Sequence, residues 1–359
     1  MATRHHPDAT PAEPPGEVRI GISGWRYEPW RGVFYPEGLP QRRELEFASR
    51  MLPTVEINGS FYSLQRPEHY AEWHDATPDD FVFAVKGPRY LTHILRLRDI
   101  ETPLANFLAS GLFELRGKLG PLLWQFPPNH RFDPERWRAF LAMLPHDTDA
   151  AAEIAARHDS RLEGRASLDP GPRRRVRHAV EIRHDSFAVP EFAALLREHG
   201  VALVVADTAG RWPLIEVLPA DFIYQRLLGA EELYASGYGD AALDAWAARI
   251  RAWRDGGQPE DARRIGSSPA PAAKGRDVHV YFDNDIKVHA PFDAAHLLQR
   301  LGLPSGLDEH GRFAWHEELK PRRKPGPSTE EAGRAAAARR EAAMRPRAYP
   351  VPRRRPAVG

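Results

Sequence analysis

The chain has 359 residues, 42% hydrophobic and 28% charged, with 34 prolines, no cysteine and a formal net charge of +1. That length holds one barrel of ~250 residues with additional segments, and the absence of cysteine excludes disulfides, thiolate nucleophiles, iron–sulfur clusters and cysteine-ligated zinc. The charge is unevenly spread: residues 320–359 carry 12 Lys+Arg and 3 Asp+Glu, a net of +9 that leaves −8 on the rest, a balance that speaks against duplex nucleic acid binding by the acidic body.

From the start, Met1 to Glu17 contains Pro11, Pro14 and Pro15 but no apolar run long enough for a signal-peptide core or a membrane span, so a disordered N-terminal segment and a cytoplasmic, non-membrane protein are expected. Short apolar runs then recur at Val18 to Ser23, Thr54 to Asn58, Phe81 to Lys86, Pro121 to Phe126, His178 to Arg183, Ala202 to Asp207, Asp221 to Leu228 and Asp277 to Asn284. Helical spacing fills most of the gaps, at Gln41 to Leu52, Pro67 to Ala76, Pro103 to Arg116, Pro134 to Leu144, Pro190 to His199, Asp240 to Trp253 and Ala294 to Leu301. Strand and helix in alternation predict an α/β fold, a (β/α)₈ TIM-type barrel over residues 18–305. In the connection Thr208 to Ala220, Pro213 and Pro219 leave room for one turn, so one outer helix is expected to be missing. Residues 147–177 and 256–276 read as insertions, and 320–359 as a disordered basic tail with a marginal helix at Thr329 to Met344.

Alternate side chains of a strand face opposite sides, so each run divides into a barrel-lining and a helix-facing set. Glu56 and Asn58, Glu181 and Arg183, Lys86 with Ala84, Gln125 with Leu123, Asp207 with Val205, Arg226 with Tyr224 and Asn284 with Phe282 are assigned inward. Their positions at strand ends, where barrel enzymes build their sites, predict a convergent charged pocket. A layer of purely structural ion pairs is the competing reading, because burying these charges together requires pairing.

The segments Gly21-Ile22-Ser23-Gly24-Trp25-Arg26-Tyr27, Phe34-Tyr35-Pro36, Val55-Glu56-Ile57-Asn58 with Phe61-Tyr62, and Phe83-Ala84-Val85-Lys86 with Leu91-Thr92-His93 resemble the domain-of-unknown-function 72 (YecE-like) family. So do Leu119-Gly120-Pro121-Leu122-Leu123-Trp124-Gln125-Phe126-Pro127, Val180-Glu181-Ile182-Arg183-His184 and Val280-Tyr281-Phe282-Asp283-Asn284-Asp285. The resemblance implies a (β/α)₈ barrel and brings no settled activity. Three positions depart from it: Ser60 stands for a usual Thr, Phe187 for a usual Trp and Leu228 for a usual His.

Glu56, Glu181, Asp207 and Lys86 are the catalytic candidates; Arg183, Arg226, Asn58, Gln125, Asn284 and His93 are the substrate-binding ones. Lys86 is read first as a cation paired with Glu56 or Glu181, and as a Schiff-base amine in the alternative. The aromatic residues Trp25, Tyr27, Trp30, Phe34, Tyr35, Phe61 and Tyr62 form either a wall over the pocket or packing beneath its loops. Gly21 and Gly24 make no dinucleotide fingerprint. The expected function is an enzyme for a small anionic substrate. The alternatives are a non-catalytic barrel binding an anion or partner and a metal-dependent nucleic acid hydrolase. No metal site is assigned and the cofactor is left open; the basic tail is read first as a solvated extension, with nucleic acid or an acidic partner as its alternative ligand.

Overall fold

Runs rich in Val, Ile, Leu and Phe become parallel strands here because both of their faces are buried, one toward the barrel axis and one toward the outer helices. The computed structural model describes residues 15–266, 270 and 273–313. Its strands are β1 Val18–Ser23, β2 Thr54–Ile57, β3 Val82–Lys86, β4 Leu119–Gln125, β5 His178–Glu181, β6 Ala202–Leu203, β7 Val205–Asp207, β8 Phe222–Leu227 and β9 Asp277–Phe282. All pair in parallel in the order β6-β5-β4-β3-β2-β1-β9-β8-β7. The two ends of that order, β6 and β7, are consecutive pieces of one extended stretch interrupted at Val204, so the sheet curls round to an α/β barrel of eight staves.

The interior is packed with Ala84, Leu123, Ala179, Ala202, Ala206, Phe222, Tyr224 and Tyr281. Small residues on β3, β5, β6 and β7 make room for the rings carried by β8 and β9. Around the barrel lie α1 Glu44–Met51, the single turn α2 Gly59–Tyr62, α3 Pro67–Ala76, α4 Glu101–Ala109, α5 Pro134–Ala142, α6 Thr148–Ala155, α7 Pro190–Glu198, α8 Asp240–Arg254 and α9 His289–Arg300. Helix α4 stops before its expected end because Gly111 adopts φ +124° and passes so near α3 that a Cβ there would lie 2.6 Å from Pro67 Cα; only glycine meets both conditions.

Between β7 and β8 there is no helix, as the prolines require. The strand-to-strand connection is held instead by Glu216, 1% exposed, which accepts from Arg249 Nη1 of α8 at 2.7 Å and from the Arg263 amide at 3.0 Å. The second expected insertion thus contributes to the wall where the helix is missing. The first carries α6, whose N-terminus is capped by Asp147 accepting from the Ala150 amide at 2.9 Å and whose Ala151 and Ala155 are buried. Asn106 of α4 fastens the following loop through reciprocal bonds to Asp159 at 3.0 and 3.2 Å. Residues 147–177 are therefore part of the helical shell. The basic tail and its marginal helix lie outside the described residues.

Candidate functional site

Two residues beyond the axial side chains, at the C-terminal mouth, six of the strands present a polar group. Glu56 follows Thr54, Lys86 follows Ala84, Gln125 follows Leu123, Glu181 follows Ala179, Arg226 follows Tyr224 and Asp283 follows Tyr281. At their centre is Arg226, with no solvent exposure. Its Nε donates to Glu56 Oε2 at 3.1 Å and its Nη1 to Glu181 Oε2 at 2.8 Å. Its Nη2 reaches Glu56 Oε1 at 3.0 Å, Ser23 Oγ at 3.1 Å and Asp283 Oδ2 at 2.6 Å.

The carboxylates are satisfied in turn. Glu56 also accepts from Ser23 Oγ at 2.5 Å and Tyr224 OH at 2.6 Å, and Glu181 Oε1 accepts from Gln125 Nε2 at 2.9 Å and Arg183 Nε at 2.8 Å. Burial alone would push both carboxyls up. Arg226 and Lys86 beside Glu56, and Arg183, Arg226 and Lys86 beside Glu181, reverse this, so Glu56 sits below its usual value and Glu181 falls to about 2. Asp283 behaves oppositely: burial, joined by the charges of Glu56 and Glu181, holds it up despite Arg226 and Lys86.

Lys86 is 7% exposed. Among the described residues its Nζ has no hydrogen-bond acceptor and ion-pairs with neither Glu56 nor Glu181; it lies over the Phe61 ring, 4.4 Å from the centroid. Burial, then the charge of Arg226, lower it to about 8 against the pull of Glu56, Asp283 and Glu181. Arg183 stacks on Trp212 at 3.9 Å and donates from Nη2 to Tyr234 OH at 3.2 Å, while among the described residues its Nη1 meets no acceptor. His93, held by Thr92 Oγ1 at 2.8 Å, is lowered to about 4 by burial and by Lys86, Arg183 and Arg89, and is neutral at pH 7.

The structure brings Glu56, Glu181, Lys86, Arg183, Arg226, Gln125, Asn58 and His93 to this mouth, with Asn58 Nδ2 donating to Ser23 Oγ at 2.9 Å. Two expected members are elsewhere. Asp207 shares the outward face with Val205, because Ala206 takes the axial position; it faces Tyr238, just before α8, and Trp246 of α8. Asn284 follows Phe282 outward and donates to Asp293 Oδ2 of α9 at 2.8 Å and Ser236 O at 3.0 Å, leaving Asp283 as the inward residue of that strand end. Sequence reasoning aligned Tyr224 with Arg226 on the inward face but gave it no role, and it missed Ser23, Trp212 and Tyr234; the last two arrive on loops and carry no periodic signal.

The aromatic set divides. Trp30, Phe34 and Tyr35 are buried packing, whereas Trp25, Tyr27 and Tyr62 line a cleft of about 260 Å³ with Trp73, beside Asn58. Among the described residues no group of three or more His, Asp or Glu is arranged to hold a metal ion, and no helix is long and apolar enough to cross a membrane.

The family described as "Protein of unknown function DUF72" matches residues 19–313. The chain belongs to the DUF72 family. Among its relatives are YecE of Escherichia coli (strain K12), 29% identical over 139 residues, 38% of this chain and 48% of that protein, and YunF of Bacillus subtilis (strain 168), 28% identical over 122 residues, 31% and 40%. Both are designated UPF0759, and the matched stretch spans under half the length of either. Among solved structures, a DUF72 protein from Thermotoga maritima MSB8 superposes with a TM-score of 0.59 at 22% identity, covering 80% of this chain and 99% of its own. One from Enterococcus faecalis V583 gives 0.56 at 17%, covering 80% and 96%. These establish the fold.

Within this DUF72 barrel the three departures have plain structural roles. Ser60 keeps a hydroxyl that bonds Lys86 O at 2.6 Å and anchors the end of β3. Phe187 packs among Trp137, Phe132 and Phe192. Leu228 is fully buried, its amide donating to Asp207 O at 2.9 Å.

Proposed function

We propose that this DUF72 chain is an enzyme whose mouth-side pocket takes a small anionic substrate between Lys86 and Arg183. The carrying observation is that, among the described residues, these two cations keep unused donors while every oxygen of Glu56 and Glu181 already holds a partner. Neither donor is sealed from solvent, so both are open to an anion that enters the mouth. Arg226 has no such donors to offer and acts as the scaffold that fixes the carboxylates. Asp283, 13% exposed and held above its usual value, is the best placed proton carrier.

Titrating oxalate or inorganic phosphate calorimetrically into the full chain tests the reading. Arg183→Gln is expected to weaken binding by about 1.5 to 3 kcal/mol, the scale of hydrogen bonds to a charged group, with little change in melting temperature. Equal affinity in the variant, or no binding to either anion, would refute it. A non-catalytic anion-binding barrel is the second reading, favoured by the saturation of Glu56 and Glu181; turnover of a bound anion separates the two.

A further inference from the structure

Lys86 has the surroundings of a reactive amine rather than of a structural countercharge. A countercharge sits on its carboxylate, yet the oxygens of Glu56 are taken by Ser23, Tyr224 and Arg226, and those of Glu181 by Gln125, Arg183 and Arg226. The amine is left against Phe61 with its hydrogens unclaimed. The groups facing it come from every side of the mouth: Glu56 on β2, Glu181 and Arg183 on and just after β5, Arg226 on β8, Asp283 after β9 and His93 on the turn after β3.

We infer that Lys86 condenses through Nζ with the carbonyl of a small 2-oxo acid, forming an imine, while Arg183 holds the substrate carboxylate. This rests on the anion-binding reading above. It adds the substrate class: a molecule with a carboxylate for Arg183 and an adjacent electrophilic carbon for Lys86.

The step balances within the groups present. The lone pair of neutral Lys86 attacks the carbonyl carbon, forming the C–N bond, and the C=O π pair moves to oxygen, which takes the proton of Asp283. The Asp283 carboxylate then removes a proton from the new ammonium, giving a carbinolamine. The nitrogen lone pair expels the hydroxyl, protonated by Asp283, as water, and leaves an iminium cation beside an ionised Asp283. One water is released, and no oxidant or reductant is involved. Two properties support the sequence. A pKa near 8 leaves about a tenth of Lys86 neutral at pH 7, far more than an ordinary lysine. Burial holds Asp283 above its ordinary value, so it takes up and returns a proton more readily than an ordinary carboxylate. The iminium, next to Glu56, Glu181 and the ionised Asp283, is stabilised by their charge.

The test uses the unmodified full chain, glyoxylate as the probe and cyanoborohydride at pH 7.5 to fix any imine, followed by peptide mapping. The comparator is Lys287, a surface lysine beside Glu232 with 58% side-chain exposure. Lys86 is expected to be labelled at least tenfold faster than Lys287, with oxalate, which lacks an electrophilic ketone or aldehyde, suppressing the difference. Labelling of Lys287 as fast as Lys86, while oxalate still raises the melting temperature, would overturn the imine and leave the anion site standing. No shift with oxalate and no preference for Lys86 would overturn both.

Discussion

Arg226 and Lys86 stand in the same layer and differ in what the fold does for them. Arg226 is enclosed by three carboxylates, so Arg226→Ala leaves buried charges unpaired and is expected to destabilise the protein by roughly 3 to 5 kcal/mol in urea unfolding. Lys86 opposes folding. Its folded pKa, about 8, lies below its unfolded value, so the cost is full below pH 8 and disappears as pH rises past the unfolded pKa. Lys86→Met is therefore expected to stabilise the protein at pH 7 by up to about 3 kcal/mol, the equivalent of that shift, with the gain shrinking between pH 8 and 10.5. A Lys86→Met protein less stable than the original at pH 7 would refute this. On the function proposed above, that cost is stability given up for a working site. At this scale most of the site was legible, since parity alone aligned Glu56, Lys86, Gln125, Glu181 and Arg226. It failed at Asp207 and Asn284 because the side of a strand that faces the axis is decided across the barrel. Tyr224 and Tyr281 fill the interior, so small Ala202 and Ala206 must oppose them, and a local V-A-D run does not reveal that.

Among the elements, β4 and β5 are tied by a buried histidine with a defined tautomer. His178 accepts from Trp124 Nε1 at Nδ1, 3.1 Å, and donates from Nε2 to Pro145 O, 2.6 Å. Burial, helped by the charge of His146, lowers its pKa to about 4 against the bond to Pro145 O, and a proton on Nδ1 would also face the indole N–H. Its contribution to stability is complete above pH 6.5 and is lost as pH falls through the window down to about 4. It amounts to roughly 3 kcal/mol. The stability gap between the original protein and His178→Gln should narrow by that amount over the window; parallel pH curves would show that His178 does not titrate there. The element that escaped sequence reading, α6, is built from small residues around Ala151 and Ala155. Its apolar face is shallow because it closes on another helix, α4, rather than on the sheet, and only the Asp147 cap announced it.

At the scale of the molecule, strand spacing and the missing helix were legible because each depends on local signals: short apolar runs, prolines, caps. The barrel's last described contact is Phe313, which packs on Phe34 and Phe292 with centroids 4.7 and 5.1 Å away. The family match ends at that residue. A chain ending at Leu319 is accordingly expected to melt at the same temperature as the full chain, since the residues beyond offer little apolar surface to bury. Earlier melting or aggregation of the shortened chain would show otherwise.

The guanidinium at the mouth also orders events in time. Arg226 is 170 residues from Glu56 along the chain and 45 from Glu181, so its bonds join early-synthesised and late-synthesised staves that meet only when the ring closes. Such distant contacts carry a large loop entropy and form after local helices and neighbouring strands have paired. Until then Glu56 and Glu181 remain hydrated, and the charged layer adds nothing to the nucleus that folds first. The charged floor is thus expected to assemble last, with its bonds acting as a latch on unfolding: weakening it should release the native barrel sooner without delaying its formation.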